Sequence, residues 1–223
     1  MDAAHHSPAE MAACLADLSR VNTVTSARPP TPRWLERATR DLAPGSSFTL
    51  VDVGCGAGDM LRAIHRAATH RGLVPQLIGV DSDARAVAAA RAVTDPAYGI
   101  EFRAESVFDH CADLGPDFVT SSLVTHHMRD DEIARFFSWM EARARHGWLV
   151  SDLHRHVVAY HAFRVLAQAA RWHPFVRHDG PVSIARGFRR EDWERYLACA
   201  GIPRERVTVR WHVPFRWTVG RIR

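Results

Sequence analysis

A short apolar segment that runs directly into a glycine-rich turn constrains the fold of this chain more than any other feature. Phe48–Val53 is apolar and rich in β-branched residues, and Gly54-Cys55-Gly56-Ala57-Gly58-Asp59 follows it. The apolar run predicts a buried strand. Apolar residues then recur at helical spacing over residues 60–71, which predicts a helix with one buried face. A buried strand, a tight glycine turn and a helix in succession predict the first unit of an α/β sheet.

The alternation of strand and helix continues along the chain. Apolar runs predict further strands over residues 76–80, 100–104, 118–123 and 148–153, and helical spacing predicts helices over 83–93 and 130–145. Such alternation predicts a mostly parallel sheet with helices on both faces, because parallel strands need crossover connections. A long helix over 154–176, a helix over 189–200 and two final strands over 207–213 and 215–222 complete the prediction.

The predicted elements divide the chain into four segments. Residues 1–47 form an N-terminal helical segment, with helices over 8–20 and 32–42 separated by an irregular, proline-containing stretch over 21–32. Residues 48–153 form a Rossmann-like core, 154–200 a helical cap over the substrate, and 201–223 a strand pair that completes the sheet. A length of 223 residues suits one domain with a small cap.

Composition and charge exclude several classes of protein. The 29 basic residues are all arginine, they are scattered among 25 acidic residues, and the net charge is only +4. A nucleic-acid partner is therefore not expected, since it requires clustered basic residues. No apolar stretch approaches the roughly 18 residues of a membrane span. The N-terminus lacks the basic start and apolar centre of a secretory signal, so we expect a cytoplasmic protein.

Polar residues follow each predicted strand, at the edge of the sheet where ligands bind in open α/β folds. They are the loop over residues 54–59 after the first strand, Asp81 after the second, Glu105 and Ser106 after the third, residues 122–127 after the fourth, and residues 152–155 after the fifth. A protein with a purely structural role has no reason to repeat this arrangement at five strand ends. The pattern predicts one binding site along this edge.

The glycine spacing indicates which ligand the site takes. Dinucleotide sites use G-x-G-x-x-G, with a pyrophosphate at the helix N-terminus. Here the third glycine, Gly58, comes one position early and Asp59 follows it, so an acid would repel a diphosphate. Asp81 lies 27 residues after Gly54, where a carboxylate can accept two hydrogen bonds from a ribose. A ribose-containing, cationic and phosphate-free ligand such as S-adenosylmethionine fits these residues.

Three stretches resemble the motifs of class I S-adenosylmethionine-dependent methyltransferases. VDVGCGAGDM resembles motif I, LIGVDSD the acidic motif of the second strand, and DFVTSSLVTHHM motif IV. The resemblance covers roughly residues 48–153 and implies a seven-stranded, mostly parallel sheet whose last strand is antiparallel. RHDGPVSIARGF, at 177–188, resembles a small-molecule subgroup linked to phenolic lipid, quinone or polyketide tailoring.

The resemblance assigns roles to the residues that match these motifs. Asp52 and the glycine loop would hold the methionine part of the cofactor, Asp81 the ribose, and Ser82 and Ser106 would lie beside the adenine. Related enzymes often carry an aspartate where this chain has Glu105-Ser106, so the adenine contact is weaker here. The cofactor-binding residues implied are Asp52, Gly54, Cys55, Gly56, Gly58, Asp81, Ser82, Ser106, Val107, Ser121 and Ser122.

The acceptor side follows from the chemistry of methyl transfer to oxygen. A protonated hydroxyl needs a base, and histidine titrates near neutrality. His126 and His127, just after the fourth strand, are the candidate catalytic residues, and their order is left open. The candidate substrate residues are Asp152, Arg155, His178 and Arg186. The last two belong to a polar cluster that also contains Asp179 and Ser183, although Asp179-Gly180 is also typical of a turn.

These residues predict O-methylation of a phenolic, quinone-like or related hydroxyl on a small molecule of specialised metabolism. Methylation of a nitrogen or carbon acceptor is the alternative, and it needs no strong base. An RNA or protein methyltransferase and a non-catalytic cofactor-binding subunit are further alternatives. The acceptor, the methylated atom and the oligomeric state stay open at this stage.

The reaction is predicted to need no metal ion. The four cysteines, at positions 14, 55, 111 and 199, form no C-x-x-C pair and no disulfide framework, and no acidic or histidine set shows ligand spacing. Methyl transfer should therefore survive exhaustive treatment with EDTA, measured as product formation by mass spectrometry. Loss of turnover in EDTA that magnesium restores would contradict this prediction and indicate a metal-assisted mechanism.

Overall fold

Seven strands form one sheet in the order β3-β2-β1-β4-β5-β7-β6 in the computed structural model, which describes residues 30–108 and 115–223. Strands β1 to β5 pair in parallel, and β7 runs antiparallel to both of its neighbours. The strands are β1 Ser47–Val53, β2 Val74–Asp81, β3 Glu101–Ala104, β4 Phe118–Ser122, β5 Gly147–Leu153, β6 Thr208–His212 and β7 Arg216–Ile222. The predicted Rossmann-like sheet with an antiparallel last strand is confirmed.

Helices cover both faces of this sheet. They are α1 Pro30–Ala38, α2 Asp59–His70, α3 Ala84–Val93, α4 Asp130–Arg143, α5 Val157–Ala169, α6 Pro174–Arg186 and α7 Arg190–Cys199. Alternating residues of β1 enter two separate apolar cores: Leu50 packs with α1, α2 and α3, and Val51 packs with α4 and α7. This period of two is the reason that a strand buried on both faces appears as a continuous apolar run. None of the described helices has the length and apolar character that a membrane crossing requires.

The start of the first described helix differs from the sequence prediction. Helix α1 begins at Pro30, although the irregular stretch was expected to continue to residue 32. Proline is tolerated in the first turn of a helix, where its missing N–H has no partner to lose. The helix predicted over residues 8–20 lies outside the described residues, as does the irregular stretch before Pro30.

The single helix predicted over 154–176 is wrong, because the segment forms two helices, α5 and α6. Arg171 adopts a left-handed conformation with φ of 51° and ends the first, and Pro174 begins the second. The amide of Trp172 bonds back to the carbonyl of Ala167, which closes the helix end. Asp179 and Gly180 lie within α6 and not in a turn. The two helices pack against each other through Phe163, Ala167, Trp172 and Val176, and they form the predicted cap.

The strand order places a crevice at one edge of the sheet. From β1 the chain crosses to β2 on one side, whereas β4 pairs with β1 on the other side. The strand order therefore reverses between β1 and β4, and ligands bind at such a reversal point in open α/β sheets. This topology sets the location of the site described next.

Candidate active site

One cavity of about 870 Å³ opens at the carboxyl ends of the strands and extends beneath the cap. Its first part is lined by the loops after β1, β2 and β3, and its second part by residues after β4 and β5, by α5 and α6, and by the start of β7. The volume lies within the range of small-molecule and cofactor sites. We call the two parts the glycine-loop part and the cap part.

The turn after β1 depends on glycine at two positions for different reasons. Gly54 has φ of 70°, and a Cβ there would lie 2.2 Å from Cγ2 of Val124. Gly56 has φ of 52° and no atom within 4 Å of the Cβ position, so its backbone borders open space in the cavity. The loop thus packs tightly against the β4 loop on one side and leaves its backbone accessible to a ligand on the other.

Asp81 is held at the end of β2 by two backbone groups. The amides of Gly56 and Asp83 each donate to its carboxylate at 2.9 Å. One of these bonds connects the acid to the glycine loop, so the two predicted binding elements have a fixed relative position. Ser82, Ser106 and Val107 line the same part of the cavity, as their predicted roles require.

Asp52 is buried in the floor of the glycine-loop part. The hydroxyl of Thr120 donates to it at 2.7 Å. Burial raises the pKa of Asp52 to about 7, against the hydrogen bond from Thr120 and with a further contribution from the charge of Asp81. Burial also raises the pKa of the Cys55 thiol, so this thiol stays protonated and packs as an apolar group.

The charge of the glycine-loop part is acidic. The side chains of Asp52, Asp81, Asp83 and Glu105 line it, and the one arginine among the described lining residues, Arg216, belongs to the cap part. These acidic side chains favour a cationic, phosphate-free ligand and disfavour a diphosphate. The observed chemistry therefore agrees with the ligand that the glycine spacing predicts.

Three predicted cofactor residues have distinct placements. Ser122 lines the cavity. Gly58, with φ of 76°, precedes the first turn of α2 and does not line the cavity, so it shapes the loop. The Ser121 hydroxyl donates to the carbonyl of Val53 at 2.9 Å and joins β4 to β1 beneath the site.

A buried carboxylate–imidazole pair lies in the wall of the cap part. Asp152 is fully buried and accepts a hydrogen bond from Nδ1 of His126 at 2.7 Å. The hydroxyl of Thr125 donates to it at 2.5 Å, and the amides of His126 and Leu153 donate at 3.2 Å and 2.7 Å. Although burial opposes the charged form, the His126 ring and these donors hold the pKa of Asp152 below its usual range. Asp152 was predicted to contact substrate, but it lies behind His126 and does not line the cavity.

His127 lines the cavity beside His126, with 4.1 Å between the ring centroids. Partial loss of hydration, with a contribution from His126, lowers the pKa of His127 to about 4. Its imidazole is therefore neutral and weakly basic at physiological pH. Of the two adjacent histidines, only His126 has a carboxylate bonded to its ring among the described residues.

The structure does not bring the other predicted substrate residues to the cavity. Arg155 donates to Asp192 on α7 at 2.7 Å, and the side chain of His178 is 83% exposed. Arg186 is also exposed, at the end of α6. Asp179 and Ser183 on the same helix line the cavity in their place. Their spacing of four residues marks one helical face, a signal that the turn-like Asp179-Gly180-Pro181 sequence obscures.

Several further residues line the cap part but were not among the candidate substrate residues. They include His154, Phe163, Phe215 and Arg216. His154 belongs to the polar stretch after β5, but neither its neighbours nor its tautomer could be deduced from that stretch. Arg216 enters from β7, whose antiparallel pairing with β5 places it opposite Leu153. Among residues 30–108 and 115–223, no cluster of three or more His, Cys, Asp or Glu side chains is suited to a metal ion.

Removing the Asp81 carboxylate should weaken cofactor binding. We expect Asp81→Ala to reduce affinity for S-adenosylhomocysteine, measured by calorimetry, by about 1–3 kcal/mol, the range for a lost charged hydrogen-bonding partner. Asp95→Ala is the matched control, since Asp95 caps a short helix over Pro96–Tyr98 away from the cavity. NAD should not compete. Tight NAD binding, or equal affinity of the two variants, would contradict the assignment.

Cofactor affinity should also depend on pH through Asp52. Its raised pKa means that the group is mostly protonated at pH 6 and mostly ionised at pH 8. A cationic ligand favours the ionised form, so S-adenosylmethionine should bind more tightly at pH 8 than at pH 6. Asp52→Asn should remove most of this dependence, which separates it from titration of the histidines. A pH profile unchanged by Asp52→Asn would contradict the assignment.

Comparison with known proteins places the chain in a family. Residues 5–202 match the family described as "Methyltransferase domain". No curated protein matches the sequence. The chain is similar in fold to the plantazolicin methyltransferase BpumL, with a TM-score of 0.67 and 12% identity over 97% of this chain and 95% of that chain. That structure contains a pentazolic desmethylPZN analogue and S-adenosylhomocysteine.

Two further structures share the fold. Magnesium protoporphyrin IX methyltransferase from Synechocystis PCC 6803, with bound S-adenosylmethionine, has a TM-score of 0.58 and 15% identity over 94% of this chain and 83% of that chain. Human N-acetylserotonin methyltransferase, also with S-adenosylmethionine, has a TM-score of 0.62 and 14% identity over 97% of this chain and 56% of that chain. The family match, the seven-stranded sheet and the acidic glycine-loop cavity together show that the chain belongs to the methyltransferase-domain family and is an S-adenosylmethionine-dependent methyltransferase.

Proposed function

We propose that the chain methylates an oxygen atom of a small molecule that carries a phenolic or related hydroxyl group. The observation that carries this proposal is the Asp152–His126 pair in the wall of the cap part. It supplies a base where an acceptor would lie. A hydroxyl acceptor needs such a base, whereas a nitrogen or carbon acceptor needs no strong base.

The buried carboxylate determines the tautomer of His126. An ionised carboxylate only accepts hydrogen bonds, so the 2.7 Å contact with Asp152 requires a hydrogen on Nδ1 of His126. In the neutral ring, Nε2 then carries a lone pair. No described residue bonds this nitrogen, and His126 lines the cavity. This tautomer supports a role for His126 as a proton acceptor in the cap part.

The residues of the chain divide the work between the two parts of the cavity. The Gly54–Gly58 backbone, Asp52 and Asp81 would hold S-adenosylmethionine, which supplies an electrophilic methyl group when bound. In the cap part, Nε2 of His126 accepts the proton of the acceptor hydroxyl while the hydroxyl oxygen attacks the methyl group. Asp152 then stabilises the resulting imidazolium, as a buried carboxylate does in other carboxylate–histidine pairs. His126 is the proposed catalytic residue, and Asp152 is a positioning residue.

Arg216 supports an oxygen acceptor over an amine. It is only 3% exposed and lines the cap part beside Asp152. Burial lowers the pKa of its guanidinium to about 10, with Asp152 opposing the shift, so the group is charged at neutral pH. A fixed positive charge favours an oxygen that becomes anionic as its proton leaves, and it disfavours a protonated amine.

The remaining lining supports a small, largely apolar acceptor. Leu153, Phe163, Leu166, Ile184 and Phe215 surround the cap part. Two of the structural relatives are named for magnesium protoporphyrin IX and N-acetylserotonin, which are small molecules. The apolar lining and the proposed base are the main support for a phenolic acceptor. The names of the two relatives support an acceptor of small-molecule size.

Replacing His126 with asparagine tests the proposed base. The asparagine amide can occupy the place of Nδ1 and keep a hydrogen bond to Asp152, but it offers no nitrogen equivalent to Nε2. The maximal rate on a weakly acidic phenol such as 4-methoxyphenol should fall by about 10²–10⁴-fold, the usual contribution of a general base. Product is measured by mass spectrometry with labelled cofactor.

The adjacent histidine provides the control. His127→Asn should retain most of the rate, since His127 is a weak base without a carboxylate partner. Affinity for S-adenosylhomocysteine should hardly change in either variant. A normal rate in His126→Asn, or a wild-type enzyme that methylates amines and no phenols in the same assay, would reject the proposed function.

A further inference from the structure

We propose that His154 is an acceptor-binding residue, and that it donates a hydrogen bond to a carbonyl oxygen adjacent to the hydroxyl that is methylated. The inference rests on the proposed function and narrows it to one substrate class. That class is the aromatic hydroxyl with a neighbouring carbonyl, as in ortho-hydroxyaryl ketones and hydroxyquinones.

A neighbouring tryptophan determines the tautomer of His154. Nε1 of Trp211 lies 3.1 Å from Nδ1 of His154. An indole nitrogen only donates, so Nδ1 of His154 accepts and the hydrogen of the neutral ring resides on Nε2. Partial burial, with the nearby His156 and Arg189, lowers the pKa of His154 and keeps the ring neutral. His154 therefore offers a hydrogen-bond donor at Nε2.

His154 and the proposed base reach the same cavity from neighbouring positions. His154 follows Asp152 by two residues at the end of β5, so their side chains leave the extended backbone on the same side. Asp152 holds His126, and both imidazoles line the cap part. The amide of His154 donates to the carbonyl of Phe215 at 3.0 Å, which fixes this end of β5 against the start of β7. No described residue bonds Nε2 of His154.

The two histidines are opposite in hydrogen-bonding character. Asp152 makes Nε2 of His126 an acceptor, and Trp211 makes Nε2 of His154 a donor. A ligand that satisfies both must present a hydroxyl and an oxygen acceptor close together. A hydroxyl next to a carbonyl has this pattern, and its internal hydrogen bond opposes loss of the proton. A donor from the protein to the carbonyl replaces that internal bond and makes the hydroxyl available to His126.

Aromatic contacts hold the His154 ring. The ring of Trp217 meets it edge-on at 5.5 Å between centroids, and the ring of Phe215 lies 6.1 Å away. His156 also packs beside it, at 5.3 Å, but does not line the cavity. Because these contacts already restrain the ring, His154 loses little side-chain entropy when it binds a ligand. Such a restrained donor can recognise one group of the ligand.

The test measures binding to the protein loaded with S-adenosylhomocysteine, so it does not require turnover. The probes are 1-hydroxy-2-acetylnaphthalene, in which the two oxygens are adjacent, and 6-hydroxy-2-acetylnaphthalene, in which they lie on different rings. We expect the wild-type protein to prefer the first. His154→Phe should weaken binding of the first by about five- to tenfold, the effect of one lost hydrogen bond, and leave the second unchanged.

Two further variants separate recognition from structure. His154→Gln should restore much of the preference, because its amide nitrogen corresponds in position to Nε2. His146→Gln is the control outside the cavity, because His146 is exposed at the opposite end of β5, and this variant should bind both probes normally. Trp211→Phe removes the hydrogen bond that fixes the tautomer of His154, so the preference for the adjacent isomer should fall. The ¹⁵N chemical shifts of the His154 ring should then indicate a mixture of tautomers.

Equal loss of both probes in His154→Phe, or no loss of either, overturns the inference. So does a wild-type protein that does not prefer the adjacent isomer. These outcomes are independent of the proposed function, which fails separately if His126→Asn keeps a normal rate of phenol methylation.

Discussion

The buried carboxylate of Asp152 is the group on which the proposed acceptor side of the cavity depends. It has no contact with solvent, and it is stabilised by the His126 ring, the Thr125 hydroxyl and two backbone amides. Burying a charge costs far less free energy when four donors bond to it than when it has no partner. The same hydrogen bonds fix the position of each donor. The most consequential of these positions is that of the His126 ring, because His126 also lines the cavity.

The sheet topology connects this group to the cofactor. Asp152 lies at the end of β5, Thr120 and Ser121 on β4 join β1 through bonds to Asp52 and Val53, and the glycine loop follows β1 directly. The acidic glycine-loop part and the proposed base are therefore held by neighbouring parallel strands. The antiparallel strand β7 adds Arg216 to the same edge from the opposite direction.

The sequence predicts the sheet well, and most of the residues that it assigns to the cofactor do line the cavity, because both features depend on local patterns. The Gly54–Gly58 turn and Asp81 need only spacing and strand periodicity to be recognised. The acceptor half depends on contacts between distant segments, such as Trp211 with His154 or Asp192 with Arg155. For that reason Asp152 was expected to face substrate but is buried, and His178 and Arg186 were chosen over Asp179 and Ser183 on the same helix.

The most direct measurement of this account is the tautomer of His126 by ¹⁵N nuclear magnetic resonance of the protein loaded with S-adenosylhomocysteine. Near neutral pH, Nδ1 should carry the hydrogen and Nε2 should show the chemical shift of an unprotonated nitrogen. Asp152→Asn should disturb this assignment, because its amide can donate to Nδ1. A wild-type ring with its hydrogen on Nε2 would contradict the role of His126 as the base.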